Sequence, residues 1–200
     1  MASKTEQRRL DLRDKLTDAA ETIITSQGVD AVKARELAKL ADCSVGAIYN
    51  VFGDLNDLIM AVNGRTFRAL GAHVSAALDG KDVAPQQQLI VMSHAYLDFA
   101  AKNTLAWRAL FDLQMSTDMK VPDWYLRELG QVFALIAAPL RNLFPNWDKA
   151  KIDLMTRALF SSVHGIVLLG LEKRISGVPM EQIKDMIAVV LANVTSSTNS

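Results

Sequence analysis

Residues 34–62 read ARELAKLADCSVGAIYNVFGDLNDLIMAV, and this stretch decides the fold. Leu37, Ala38 and Ala41 stand at i, i+1 and i+4, so they share one face of a short helix and leave Arg35, Glu36 and Lys39 in water. Asp42 tolerates the bent backbone of a tight turn, and Cys43 is a small apolar plug behind it. Ser44 has the chemistry of an N-cap, accepting a backbone N–H at the start of a second helix over residues 45–52. Ile48 and Phe52 point inward from that helix, whereas Ala47, Tyr49 and Asn50 stay outside. Gly53 stops it, and Asp54 caps the next. Two short helices joined by a turn of about 3–4 residues form a helix-turn-helix, whose second helix can lie in a DNA major groove.

Outward from this stretch, five prolines and ten glycines punctuate the chain, and nearly everything between them has helical periodicity. A first helix is predicted over residues 5–27, with Leu12, Leu16, Ala19, Ala20 and Ile23 along one side and Gly28 closing it. A long fourth helix runs over 54–78. Pro85 suits the first turn of a fifth, to about 102. Further helices are predicted over 104–115, 122–144 (with a kink at Pro139), 148–174 and 179–194, followed by a frayed TSSTNS tail. The fold class is therefore all-α, with nine helices and no repeat. The expected division is a helix-turn-helix headpiece at 1–53 and a helical body at 54–200, joined by the fourth helix.

Two hundred residues suffice for one real core or two small ones. The N-terminus MASKTEQRRL lacks an apolar signal region, and one cysteine cannot form an internal disulfide, which together suit a reducing cytoplasm. The apolar span 158–171 contains His164 and two glycines and reads as too short to cross a bilayer. No Ser–His–Asp or Cys–His constellation, metal-ligand cluster or Gly-rich phosphate loop stands out, so no enzyme, cofactor or metal is expected. His94 and Asp98 are spaced i, i+4, but two ligands without a third make no metal site.

The helix-turn-helix stretch resembles the DNA-binding domain of the TetR family of bacterial transcriptional regulators. The residues that carry the resemblance are Arg35, Glu36, Leu37, Ala38, Ala41, Ser44, Gly46, Ile48, Tyr49, Phe52, Leu58, Ala61 and Val62. A second segment, Val163-His164-Gly165, resembles the Trp-His-Gly motif of one group of TetR C-terminal domains, with valine in place of tryptophan. The resemblance implies a regulator that binds a palindromic operator as a homodimer and is released from it by a small molecule. The alternative is a TetR-like module with little DNA affinity that acts through ligand or protein binding. That alternative is motivated by charge: residues 1–53 carry eight Lys/Arg and eight Asp/Glu, and Leu55 stands where the family commonly has a phosphate-meeting lysine.

Three sets of site residues follow. For DNA they are Arg8 and Arg9 on a flexible arm, Lys33 and Ala34 at the start of the second helix, and Ser44, Val45, Ala47, Tyr49 and Asn50 around the third. With no Arg or Lys in VGAIYNVF, base reading falls to apolar contacts of Val45 and Ala47 with thymine methyls, and to Asn50. The effector pocket is expected among Tyr96, Phe99, Trp107, Phe111, Met115, Trp124, Tyr125 and His164, with an apolar or aromatic guest; the 107/111/115 spacing equally makes a plain buried stripe. The dimer interface is expected on two late helices, at Leu154, Ala158, Ser161, Gly165 and Leu168 and at Ile183, Ile187 and Val190, unless these simply complete the protomer core.

Overall fold

The structure, a computed structural model, describes residues 3–113, 121–172 and 179–196. Among these residues it holds nine α-helices and no strand: α1 (Lys4–Gln27), α2 (Ala34–Leu40), α3 (Val45–Val51), α4 (Leu55–Ala76), α5 (Pro85–Lys102), α6 (Thr104–Asp112), α7 (Asp123–Leu143), α8 (Lys149–Leu171) and α9 (Met180–Ser196). A 3₁₀ turn, Val29–Ala31, links α1 to α2.

The caps act where the side-chain chemistry placed them. Gly28 ends α1 at φ 89°, a left-handed conformation that side chains resist, and its N–H donates to the Ile24 carbonyl at 3.0 Å. Asp42 makes the turn after α2 at φ 50°. The Ser44 hydroxyl accepts from the Ala47 N–H at 3.2 Å. Asp54 accepts from the Asp57 N–H at 2.8 Å, while the Asp57 carboxylate reaches back to the Gly53 N–H at 3.0 Å. Each such cap contributes about 1 kcal/mol. Pro85 opens α5, and α7 runs through Pro139 to Leu143.

The chain forms two compact units. The first comprises Met1–Phe67 with Asn103–Leu126. Its core joins Leu16, Ala20, Ile23 and Ile24 of α1 to Leu37 of α2, Ile48 and Val51 of α3, Leu58, Ile59 and Val62 of α4, and Ala109 of α6. Full burial of such aliphatic side chains stabilises by about 1.5–3 kcal/mol each. Arg65 of α4 ties back to α1 through Asp18 at 2.6 Å and Glu21 at 2.7 Å. Asn63, with no exposed surface, donates from Nδ2 to the Ala109 carbonyl at 2.9 Å and to the Tyr125 hydroxyl at 3.5 Å. Burial pushes the Tyr125 phenol above its ordinary pKa, against the opposing pull of the Asn63 hydrogen bond. This unit does not end where the helix-turn-helix pattern ends, because α6 packs on α1 and belongs with the headpiece.

The second unit comprises Arg68–Lys102 and Arg127–Ser200. Here α5, α8 and α9 pack on one another. Gln86 donates to Thr195 Oγ1 at 2.6 Å, and Arg68 pairs with Glu128 at 2.6 Å. His94 and Asp98 are both engaged with Lys184: His94 Nε2 meets its carbonyl at 3.1 Å, and Asp98 pairs with its ammonium at 3.2 Å.

Two expectations change. Arg8 and Arg9 sit on the first turns of α1 rather than on an arm, because Ser3 caps that helix by accepting the Glu6 N–H at 3.2 Å. The apolar span from Ala158 is only part of α8, whose 23 residues are long and apolar enough to cross a membrane by length and composition. In this fold α8 instead packs on α5 and α9. Met115 and the tail beyond Ser196 lie outside the described residues.

Candidate functional site

The first candidate surface is the outer face of α3. This helix of seven residues is held by its inward side, where Ile48 has no exposed surface and Val51 and the following Phe52 are buried. The Arg13 guanidinium covers the Phe52 ring at 4.3 Å. Anchoring on one side leaves the other in water: Ser44, Val45 and Asn50 are exposed, Ala47 is half-buried, and Tyr49 is 47% exposed. Arg8, Arg9 and Lys33 are exposed and Ala34 half-buried on the same unit. The Ser44 oxygen accepts the capping bond, which leaves its own proton able to donate outward. Leu55 is partly buried and packs against the headpiece core. Cys43 is half-buried, and burial first, then the Asp42 carboxylate, raises its thiol pKa, which disfavours the reactive thiolate.

The second candidate is a cavity inside the second unit. Its wall is built from Leu70 and Val74 of α4, Leu89, Met92, Ser93 and Tyr96 of α5, Val132, Leu135 and Ile136 of α7, Leu159, Phe160 and Val163 of α8, and Leu191 of α9. The space between them is about 530 Å³, part of it open to solvent. Beside the wall, the Tyr96 hydroxyl meets His164 Nδ1 at 2.8 Å, and the His164 ring stacks on Phe160 with centroids 5.5 Å apart. Burial holds the His164 pKa below its ordinary value, so the imidazole favours the neutral form.

Of the seven expected pocket residues that the structure describes, only Tyr96 lines this space, with His164 bonded behind it. Phe99 is buried against the His73 ring at 5.8 Å and does not line it. Trp107, Phe111, Trp124 and Tyr125 belong to the first unit. There Trp107 is buried with its edge towards Phe111 at 5.6 Å, and Tyr125 packs edge-to-face on Phe67 at 5.5 Å and on Trp124 at 5.6 Å. The wall residues were readable in another way. Leu89, Met92, Ser93 and Tyr96 fall at i, i+3, i+4 and i+7, an apolar helical stripe broken by one serine.

The third candidate is an open stripe on α8. Leu154 (70% exposed), Ala158, Ser161, Ser162 and Leu169 (42% exposed) are exposed, Gly165 and Leu168 are partly so, and none is charged. On α9, Ile183 and Ile187 have no exposed surface in the single chain and fill the protomer core. Val190 is partly exposed, and the apolar residue most open there is Val189, at 60%. Among the described residues, no three His, Cys, Asp or Glu side chains gather as metal ligands would.

Comparison with known proteins places this architecture. Residues 16–62 match the family model described as bacterial regulatory proteins, tetR family. Residues 89–194, more than half of the chain, match the tetracyclin repressor-like C-terminal domain. No curated protein matches the chain. Among solved structures, RolR in complex with the ligand resorcinol is similar at 20% identity and TM-score 0.70, over 94% of this chain and 89% of that one. BioQ with its double-stranded DNA operator is similar at 17% identity and TM-score 0.66, over 92% and 98%. PfmR, a TetR family transcriptional regulator from Thermus thermophilus, is similar at 18% identity and TM-score 0.58, over 94% and 100%. At such identities the likeness to these structures shows the fold.

Proposed function

The chain belongs to the tetR family of bacterial regulatory proteins, and from that premise we propose that it is a cytoplasmic, ligand-responsive, DNA-binding transcriptional regulator. It works as a homodimer on a palindromic operator and releases that operator when a small molecule occupies the second-unit cavity. The observation that carries this reading is α4. Leu58, Ile59 and Val62 near its start are fixed in the headpiece core, while Leu70 and Val74 near its end form part of the cavity wall. One 22-residue helix therefore serves both sites, and a guest that prefers a different seat for its end moves the headpiece as well. The relatives solved with resorcinol and with a DNA operator support the two kinds of partner.

In this reading the α8 stripe pairs with its copy. Symmetry sets the two α3 helices about 34 Å apart, one turn of DNA, so that each reads half of the palindrome. Arg8, Arg9, Lys33 and the Tyr49 hydroxyl position the headpiece on phosphates, while Val45, Ala47 and Asn50 meet base edges. Tyr49→Phe removes only that hydroxyl from an exposed side chain. The loss of one hydrogen bond to a charged group, about 1.5–3 kcal/mol, should weaken binding tenfold or more on every sequence alike. Binding curves on a panel of single-base operator variants check this; an altered ranking of the variants would show that Tyr49 reads bases instead.

The test of the function itself is selection of genomic fragments by the purified protein, followed by a salt titration on the enriched site. One palindrome should be enriched. Six cations per dimer (Arg8, Arg9 and Lys33 twice) should give a log–log salt slope of about −5. No enrichment at low salt, with or without cavity ligands, would favour a ligand- or protein-binding module of little DNA affinity.

A further inference from the structure

We propose that the cavity of the second unit selects an electrically neutral, mainly apolar guest that carries a single hydroxyl, and that Ser93 is the residue that recognises it. This rests on the reading of that cavity as the effector site and names the class of effector. Among the described residues the wall is apolar except at two hydroxyls, those of Ser93 and Tyr96, and none of its side chains is charged. Tyr96 is engaged, its hydroxyl 2.8 Å from His164 Nδ1. Ser93, one turn before it on α5, faces the same space, and its hydroxyl has no hydrogen-bond partner among the described residues. A serine inside a helix ordinarily satisfies its hydroxyl on the carbonyl four residues earlier, as Ser162 does on Ala158 at 2.9 Å. Ser93 does not, so its donor and its acceptor lone pairs are both turned to a guest.

The same lining rejects charge. A carboxylate brought into this wall loses its hydration and finds no cation in return. His164 supplies none, because its neutral ring is occupied with Tyr96 and stacked on Phe160. A hydrocarbon enters without that penalty but leaves Ser93 unanswered. A guest with one hydroxyl both fills the apolar space and answers Ser93, and a second polar group meets only the Tyr96 hydroxyl, already bonded to His164.

Three probes of nearly one shape isolate these contributions: p-xylene, p-cresol and p-toluate, titrated against the full-length protein by ligand-observed NMR. The expected order is p-cresol tightest, p-xylene several-fold weaker, and p-toluate at least tenfold weaker than p-cresol. Ser93→Ala, which favours the helix, should bring the Kd of p-cresol to that of p-xylene and leave p-xylene unchanged. Val132→Phe, which fills the space, should remove all three while circular dichroism stays the same. If p-toluate binds as well as p-cresol, or Ser93→Ala leaves the p-cresol preference intact, the proposed selectivity is overturned while the cavity stands as a binding site. If the folded protein binds none of the three, or binds them despite Val132→Phe, the cavity is not the site, and the effector reading falls with it.

Discussion

Gly165→Glu is expected to convert the proposed dimer into a monomer without unfolding the chain. A Cβ built at Gly165 meets nothing within 4 Å, so the protomer itself has room for a side chain there. Replacing a glycine inside α8 also helps the helix, by about 0.5–1 kcal/mol. Pairing through the α8 stripe reverses the balance. Leu154, Ala158 and Ser161 lie along the same uncharged face, and two symmetry-related copies would bury the new carboxylates against small apolar residues. An unpaired buried charge costs about 3–5 kcal/mol, a weakening of dimerisation of roughly a hundredfold or more. Sedimentation equilibrium should show the mass halved with helical content unchanged, and operator affinity should fall because each monomer holds one half-site. A dimer that survives Gly165→Glu and Ala158→Glu together would place the interface on another face.

Ile48→Ala should abolish operator binding by melting the headpiece. Ile48 has no exposed surface, and with Val51 and Phe52 it is what fixes the short α3 to the core. Loss of its side chain leaves a cavity and costs about 2–5 kcal/mol. A helix of seven residues has too little intrinsic stability to hold its shape without that anchor. The second unit has a core of its own. Thermal unfolding should therefore split into two steps, the lower reporting the headpiece, while ligand binding in the body persists. An operator Kd within a few-fold of that of the parent protein would show that α3 does not depend on this contact.

The legibility of the headpiece has a physical cause. Its contacts are local: Leu37, Ile48, Phe52 and Leu58 lie within one short stretch, and the caps Ser44 and Asp54 act three residues away on their own helices. Local pattern and final packing therefore coincide. Arg8 and Arg9, expected on an arm, already fall inside the helix predicted from residue 5, and the Ser3 cap holds that first turn in helical form.

The cavity was far less legible. Aromatic richness pointed to Trp107, Phe111, Trp124 and Tyr125, yet these residues sit in the first unit, where their rings pack edge to face on one another. An aromatic fills a hole as readily as it lines one, and a sequence carries no record of which. What lines the space is mostly ordinary aliphatics from five helices, with Tyr96, Phe160 and Ser93 among them, and only their convergence makes a site. The partition of α9 was equally hidden. Ile187 and Val189 differ by two positions, but one is fully buried and the other 60% exposed, because the packing of α5 and α8 selects which side of α9 is covered.

The sequence by itself thus determined the all-α class, the helix-turn-helix with its caps, and the family. Tertiary structure alone decided that α6 joins the headpiece, that Asn63 ties α4 to α6 and Tyr125, that Ser93 faces an apolar space, and which stripe of α8 stays open. The reason is range. Periodicity and capping are interactions over three or four residues, which a chain states outright. A cavity or an open face is what remains after distant helices have packed, and distant packing is not written in any one of them.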